Sequence, residues 1–336
     1  ERIWVKCHAM VGTKTNVNKP TPNDGLGGAF SRVLNGTGGH GGYFSLQEIP
    51  SDEVVVTQKG GDWYDGGELI VSHQHNFRSS GMIGVEGAWN DAYGGIFQCN
   101  DLLKEAGLPL EKQAQLRMLR AYFYWRLLDL YGNVKIVTTP GVDVSQSNRL
   151  AVYNFVEAEL LASITDLPAG RGEYGRASQG AAYALLARLY LNAKVYKDLA
   201  AFDDTDLQKS IDAADMVINS GNYSLEPDFK KVFSPDNVEN VEHIFVAPFD
   251  EATGTGMQFP YMTLHYPSQL TFKLAQQPWN GYSTLEAFYN SFEDADKRKA
   301  ASFISGPQYA YNVDPEVKTP ILDLAFDKAD PDGAPI

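Results

Sequence analysis

The sequence predicts a mainly α-helical fold with tetratricopeptide-like helical repeats, long irregular loops and a few short strands. Apolar residues recur at helical spacing between residues 85 and 221. The flanking stretches, 11–84 and 222–336, are rich in turn-forming residues and carry aromatic side chains outside any helical pattern. We therefore expect one domain over 1–336, in which 85–221 is a helical-repeat scaffold and the two flanking stretches form a loop-rich lobe.

The first part of the chain predicts little regular structure. Residues 1–10 resemble the tail of a helix, and the glycine-rich stretch 11–45, with Gly-Gly-His-Gly-Gly at 38–42, predicts a long ordered loop. Short extended pieces alternate with glycine pairs over 43–75. The chain opens at Glu1 without an initiator methionine or a signal peptide and closes in a loop-like segment, so we expect it to be incomplete at both ends.

Periodicity predicts five helices in the scaffold. They cover about 85–106, 110–131, 152–167, 178–196 with Ser178 as N-cap, and a last helix that is capped by Asp203, Asp204 or Thr205 and ends at Gly221. The second helix is apolar on most sides, which indicates a helix packed between neighbours. The last helix carries Leu207, Ile211, Ala214 and Ile218 on one face. Stacked helix pairs of this kind bury one another's faces and leave an exposed groove.

The part after the scaffold changes character. We expect a short strand at 243–247, a long loop over 250–283 and a short helix at 285–292. The loop carries Tyr261, Tyr266, Trp279 and Tyr282.

Charge and motifs narrow the function classes. The net charge of -14 disfavours binding to nucleic acid, because an acidic chain repels phosphates. No stretch is long enough for a membrane-spanning helix. We expect no cofactor, since no phosphate-binding glycine loop or nucleophile motif is present. Cys7 and Cys99 lack metal-ligand spacing and could pair or stay free. A pair of carboxylates for glycoside hydrolysis is not excluded by 42 acidic residues.

Several stretches resemble one family in their order along the chain. The most specific is the block from Leu119 to Val134, in which a helix runs into a short strand. The stretches GGYFSLQEIPSDE at 41–53, GGDWYDGG at 60–67 and AYALLARLYL at 182–191 precede and follow it. Together they resemble the SusD/RagB family, whose lipidated N-terminal cysteine and closing helical pair have no counterpart here.

The resemblance implies a SusD-like, cell-surface lipoprotein of the outer membrane that faces the exterior in Bacteroidetes-type bacteria. Such proteins bind polysaccharides or oligosaccharides, are not enzymes, and pass their ligands to a SusC-like TonB-dependent transporter. Attachment to the membrane by an N-terminal lipid anchor is inferred, because this chain contains no anchor. A helical-repeat scaffold for protein interaction and a glycoside hydrolase are the alternatives.

Aromatic and polar side chains in the two loop regions are the candidate ligand-binding residues. Sugars offer flat CH faces and hydroxyls, so their sites combine aromatic rings with amide or carboxylate groups. The candidates are Asp62, Trp63, Tyr64, Asp65, Tyr261, Tyr266, Trp279 and Asn280, with Gln258 as a further polar side chain. The alternative interpretation is that each ring anchors the core and each aspartate caps a turn.

Other polar pairs have structural interpretations. His73 and His75 would share one face of a strand, which is a metal-ligand geometry, but buried hydrogen-bonded histidines are the favoured interpretation. Arg117, Arg120 and Arg126 on the second helix are expected to pair with acidic residues of the next helix.

Overall fold

A computed structural model describes residues 24–78, 81–249, 257–311 and 319–325. Over these ranges the chain forms fourteen α-helices and six short strands. The helices are α1 (Gly27–Ser31), α2 (Tyr43–Glu48), α3 (Glu68–His73), α4 (Val85–Leu103), α5 (Leu110–Tyr131), α6 (Arg149–Ile164), α7 (Gln179–Leu191), α8 (Ala193–Tyr196), α9 (Asp204–Ile218), α10 (Phe229–Val232), α11 (Phe259–Thr263), α12 (Ser268–Phe272), α13 (Glu286–Asn290) and α14 (Lys297–Ser302). The strands are β1 (Val54–Val56), β2 (Val134–Lys135), β3 (Gln146–Ser147), β4 (Tyr282–Thr284), β5 (Gly306–Gln308) and β6 (Leu322–Leu324).

The scaffold helices pack in chain order, as predicted. Helix α5 lies against α4 and α6, while α7 lies against α6 and α9. Helix α5 is buried along most of its length, and side chains on opposite sides of it, such as Phe123 and Trp125, have almost no exposed surface. The prediction of a mainly α-helical fold with successively packed helices is therefore confirmed.

Side-chain caps set where the scaffold helices begin. Helix α6 begins at Arg149, three residues before the predicted start, because Asn148 accepts a 2.8 Å hydrogen bond from the Ala151 amide. Ser178 caps α7 as predicted. Among the three predicted caps of α9, Asp203 is the one that accepts a hydrogen bond, at 2.7 Å, from the Thr205 amide.

The buried face of α9 differs from the prediction. Its buried residues are Asp206, Ala213 and Val217. Ile211 and Ile218, which we placed on the apolar stripe, are 54% and 66% exposed. The helix is turned so that Asp206 faces inward, where both its carboxylate oxygens accept hydrogen bonds from Lys197 at 2.7 and 2.9 Å. The ion pair therefore buries a face of α9 that the apolar pattern predicts to be exposed to solvent.

Two loop predictions and one strand prediction are wrong. The stretch 11–45 contains α1 and the start of α2, two short helices that pack on α4. The stretch 250–283 contains α11 and α12. No strand forms at 243–247, because the Arg171 guanidinium donates to the carbonyls of Asn240 and His243, at 2.6 and 3.3 Å, and holds the backbone in a turn. The helix tail predicted at 1–10 and the residue Cys7 lie outside the described ranges.

The arginines of α5 divide into two groups. Arg117 and Arg120 pair with Glu159 of α6, as predicted, with nitrogen–oxygen distances of 3.1 and 2.8 Å. Arg126 forms no ion pair with an acidic side chain of the described residues. Its side chain is buried and its guanidinium carbon lies 4.2 Å from the centre of the Tyr43 ring, which is a cation–π contact. The Arg126 guanidinium nitrogens have no hydrogen-bond partner in the part of the chain that the structure describes.

Cys99 stays free, one of the two outcomes that the sequence left open, and its side chain is buried. It lies inside α4, and burial raises the pKa of its thiol to about 12. The thiol is therefore protonated at neutral pH. Over the described ranges, no helix combines the length and the apolar character that crossing a bilayer requires.

A second hydrophobic cluster lies beside the scaffold and joins distant parts of the chain. Its buried members are Ile49, Val56, Leu69, Phe259, Met262 and Tyr282. Antiparallel pairing of β1 with β4, in the register Val54 to Thr284 through Val56 to Tyr282, holds the two parts together. The loop residues Trp63 and Trp279 pack against this cluster.

The ion pair between Arg120 and Glu159 gives a test of the scaffold. Both side chains are more than nine-tenths buried. We expect Glu159→Gln to lower the free energy of unfolding by about 3 kcal/mol, since it leaves a buried arginine charge uncompensated. Urea denaturation measures the change. Glu157→Gln is the control, because its pair with Lys209 is more exposed and contributes under about 1 kcal/mol. Equal losses in the two variants would contradict this interpretation of the ion pair.

Candidate functional site

A tight hairpin carries the first group of candidate residues. Lys59 and Asp62 exchange two backbone hydrogen bonds of 2.9 and 2.8 Å, so Gly60 and Gly61 form its turn. Gly60 has φ +57°, a conformation that glycine adopts without steric cost. The hairpin follows β1 directly, and the β1–β4 pairing therefore sets it beside the segment that contains Trp279.

The Trp63 ring lies across that segment. Its indole N–H donates a 2.6 Å hydrogen bond to the Trp279 carbonyl, and its ring meets the edge or face of Tyr282 at 5.9 Å between centroids. A Cβ atom added at Gly281 would lie 2.4 Å from the Trp63 ring. Glycine at 281 is thus a steric requirement for this position of the indole.

Trp279 and Tyr261 lie side by side. The Trp279 amide donates to the Tyr261 carbonyl at 2.6 Å, and the next residues continue the pairing, since the amide of Gly281 donates to Met262 at 2.9 Å. The two ring centroids are 6.0 Å apart and the planes differ by 30°. Both rings are partly exposed, so each presents some of its surface to solvent.

A hydrogen bond at the surface connects the two loop regions. The Tyr266 hydroxyl donates to the Asp62 carboxylate at 2.8 Å. Tyr64 is 54% exposed and Asp65 is also exposed, in the short segment that follows this hairpin. We call the partly exposed rings of Trp63, Tyr261, Tyr266 and Trp279 the aromatic shelf.

Asn280 is placed below the shelf. The residue is 6% exposed and its backbone has φ +54°. Its backbone N–H donates to the Leu264 carbonyl at 3.0 Å. The side-chain nitrogen has no hydrogen-bond partner among the described residues. Asn280 was expected to face a ligand at the surface, but the turn that presents Trp279 directs the Asn280 side chain inward.

His40 belongs to the site, although the sequence analysis did not select it. Its ring centroid lies 5.7 Å from that of Trp63 and 6.0 Å from that of Trp279, edge to face with both. The signal in the sequence is the single polar ring within the glycine run at 38–42, which was interpreted only as a loop. Gln258, a polar candidate, is exposed next to this run, and its backbone N–H donates to the Gly38 carbonyl at 2.9 Å.

Tyr282 anchors the base of the site. Its hydroxyl is 2.7 Å from the Ser45 hydroxyl, which in turn donates to the His40 carbonyl. Burial raises the pKa of Tyr282, so the phenol stays protonated and donates to Ser45. This chain of hydrogen bonds connects α2, β4 and the glycine run.

The two histidines of the metal alternative are hydrogen-bonded to the backbone instead. His73 closes α3, and its Nδ1 lies 2.9 Å from the Ile49 carbonyl, while Nε2 of His75 lies 2.6 Å from the Pro50 carbonyl. Because His73 lies in a helix, the pair does not share a strand face. Over the described ranges, no group of three or more metal-ligating side chains is assembled.

The shelf therefore combines aromatic surface with polar groups. Partly exposed aromatic faces lie next to carboxylate, amide and imidazole groups. This combination suits a ligand with flat CH faces and many hydroxyls.

Comparison with known proteins shows which family this chain resembles. Residues 68–191 match a SusD-like family that is described as starch-binding and associating with the outer membrane. The chain is 28% identical over 252 residues to the starch-binding protein SusD of Bacteroides thetaiotaomicron, over 71% of this chain and 42% of that protein. The matched stretch spans less than half the length of the curated relatives.

Solved structures share the fold. The surface glycan-binding protein A of Bacteroides uniformis has a TM-score of 0.70 at 21% identity, covering 86% of this chain and 64% of that one. The corresponding protein of Bacteroides thetaiotaomicron, in complex with laminarihexaose, has a TM-score of 0.66 at 19% identity and covers 82% and 61%. These findings confirm the predicted SusD-like helical fold and the predicted resemblance to the SusD/RagB family.

The contact between Gly281 and Trp63 gives a test of the site geometry. We expect Gly281→Ala to displace the Trp63 indole, which changes the tryptophan emission spectrum and lowers the free energy of unfolding by about 1–3 kcal/mol. Gly61→Ala is the matched control, because a Cβ there meets no atom within 4 Å. An unchanged spectrum and stability in Gly281→Ala would show that the indole does not lie over this glycine.

Proposed function

We propose, on the premise that this chain is a SusD-like protein, that it binds a polysaccharide or oligosaccharide on the aromatic shelf. The observation that carries the proposal is that rings from two chain segments about 200 residues apart, all of them partly exposed, are held together at one surface. A curated relative is named as starch-binding, and a structural neighbour was solved with laminarihexaose. Both names support a glucan as the first ligand class to test.

The physical basis of binding is stacking with flanking hydrogen bonds. A pyranose ring offers an apolar face of C–H groups to Trp279 and Tyr261, whose planes are only 30° apart. The Asp62 carboxylate, already oriented by Tyr266, and the exposed Asp65 and Tyr64 are placed to meet the hydroxyls around that ring. Asn280 supports the turn of Trp279 from below.

The location of this site suggests which parts of the chain form the scaffold and which form the ligand-binding lobe. We assign the helical scaffold to residues 85–221 and the ligand-binding lobe to 11–84 and 222–336, within one SusD-like domain over 1–336. The second hydrophobic cluster, which joins residues 44–83 to 257–282, supports the assignment of the lobe.

The second part of the proposal concerns delivery. We propose that the protein acts at the cell surface, held to the outer membrane by a lipid anchor, and hands its ligand to a SusC-like TonB-dependent transporter. The family description supports association with the outer membrane. The scaffold supports a protein contact, because apolar side chains of α6, α7 and α9 are exposed. They are Leu161, Leu191, Ile211, Met216 and Ile218.

This function requires capture without bond cleavage. The alternative of a glycoside hydrolase needs two carboxyl groups flanking the scissile bond. At the shelf, Asp62 is bound to Tyr266, which suits a fixed hydrogen-bond acceptor more than a proton donor. We therefore propose that the protein is not an enzyme.

Removal of a shelf ring tests the binding site. We expect Trp63→Ala and Trp279→Ala each to weaken binding of maltoheptaose or laminarihexaose by about fivefold, since one stacking contact contributes about 1 kcal/mol. Isothermal titration measures the affinity, and circular dichroism checks the fold. Phe202→Ala, which removes a ring that is 59% exposed on the scaffold, is the control.

Two results would contradict the proposal. One is a correctly folded protein that binds no glycan of a broad panel. The other is release of new reducing ends from the glycan at a normal enzymatic turnover, which would establish the hydrolase instead.

The exposed apolar face of α9 tests the delivery step. We expect Ile211→Asp combined with Ile218→Asp to abolish co-purification with a co-expressed SusC-like transporter of the same organism, while glycan affinity is unchanged. Leu225→Asp is the control, because this leucine is 84% exposed but lies outside the scaffold helices. Co-purification of the double variant at the level of the parent protein would exclude this face as the contact.

A further inference from the structure

The glycine run at 38–42 is held rigidly against the rest of the molecule. A Cβ added at Gly38 would lie 2.5 Å from the Phe249 ring, and one added at Gly39 would lie 2.5 Å from the Gln258 side chain. On the other side, the Gly41 carbonyl lies so close to α4 that a Cβ at Gly87 would overlap it. The run therefore has one closely fitted path, and the only side chain it carries is that of His40.

That path places His40 between the two tryptophans of the shelf. Its imidazole makes edge-to-face contacts with Trp63 and Trp279, while its backbone carbonyl accepts the Ser45 hydroxyl. The glycines and the backbone set this position, and the ring forms no hydrogen bond through Nδ1 to any residue that the structure describes.

We propose that His40 is a ligand-contacting residue, whose imidazole hydrogen-bonds a sugar hydroxyl between Trp63 and Trp279. The inference rests on the proposed function of the shelf and adds to it the polar group that selects the orientation of the bound sugar.

The proposal rests mainly on the burial and hydrogen bonding of His40 Nδ1. It is buried and has no hydrogen-bond partner among the described residues, whereas buried polar atoms are normally paired. By contrast, His73 and His75 each have a ring nitrogen within hydrogen-bond distance of a backbone carbonyl. A sugar hydroxyl both donates and accepts, so it satisfies Nδ1 in either tautomer of the neutral ring.

A sugar hydroxyl reaches Nδ1 only when the Trp63 ring moves aside, which breaks the hydrogen bond from its indole N–H to the Trp279 carbonyl. In the sequence, Trp63 lies between the turn glycines Gly60 and Gly61 and the pair Gly66 and Gly67, and three of these four glycines have positive φ. These glycines allow the hairpin to change its path without moving β1. Trp279, on the other side of His40, is held by backbone hydrogen bonds and stays in place.

Three variants separate a polar contact from a spacer between the rings. We expect His40→Phe, which keeps a ring but removes the nitrogens, to weaken binding of the better of maltoheptaose and laminarihexaose by about 3- to 10-fold, the effect of one neutral hydrogen bond. His40→Gln keeps a polar group and should bind more tightly than His40→Phe. His75→Phe, in an exposed ring outside the shelf, should bind as the parent protein does.

A second measurement does not depend on any variant. The imidazole nitrogen resonances of His40, observed by NMR in the parent protein, are expected to shift on saturation with the same oligosaccharide, while those of His75 stay unchanged. Parent-level binding by His40→Phe, or unshifted His40 resonances, would overturn the assignment and leave the shelf intact. Failure of the parent protein to bind either oligosaccharide would refute the proposed function as well as the role of His40.

Discussion

Helix α5 has to be buried on nearly every side, and the rest of the molecule is arranged around that requirement. On one side, Arg120 donates to Glu159 of α6 and to Asn100 of α4, so one guanidinium sets the register of three helices. On another side, Arg126 stacks on Tyr43, the first residue of α2. Helix α2 follows the glycine run directly, and through it the scaffold determines where His40 lies. A buried polar network in the helices therefore contributes to the geometry of a surface site that it does not touch.

The shelf residues are at once structural anchors and exposed platforms. Trp63 packs on the second hydrophobic cluster and donates to a backbone carbonyl, yet part of its ring faces solvent. Tyrosine and tryptophan suit such positions because each combines a large apolar face with one polar atom. The two interpretations that the sequence left open for these rings are thus compatible, since a ring must be fixed at one edge before its face can select a ligand.

The sequence predicted the scaffold well because periodicity and caps are local signals. The stripe of α5 and the caps Ser178 and Asp203 depend on neighbours within one or two turns. The errors arose where distant residues decide. The ion pair with Lys197 rotates α9 so that Asp206 faces inward. Hydrogen bonds from Arg171 prevent a strand at 243–247, and Arg126 contacts the ring of Tyr43 where an acidic partner was expected. In the site, the rings could be listed from the sequence. The position of His40 depends on a contact with Trp279, more than 200 residues away, and the inward turn of Asn280 depends on a backbone hydrogen bond to Leu264, outside the reach of a local pattern.

The pairing of β1 with β4 joins residues that are 228 positions apart. Bringing the two strands together costs conformational entropy before their contacts contribute favourable free energy. Local helices therefore form faster than this strand pair. The shelf is then among the last features to be assembled during folding. A chain whose helices have formed but whose two strands have not met would give a strong helical signal and yet present no recognition surface, so competence for a ligand reports on completion of the fold in a way that helix content does not.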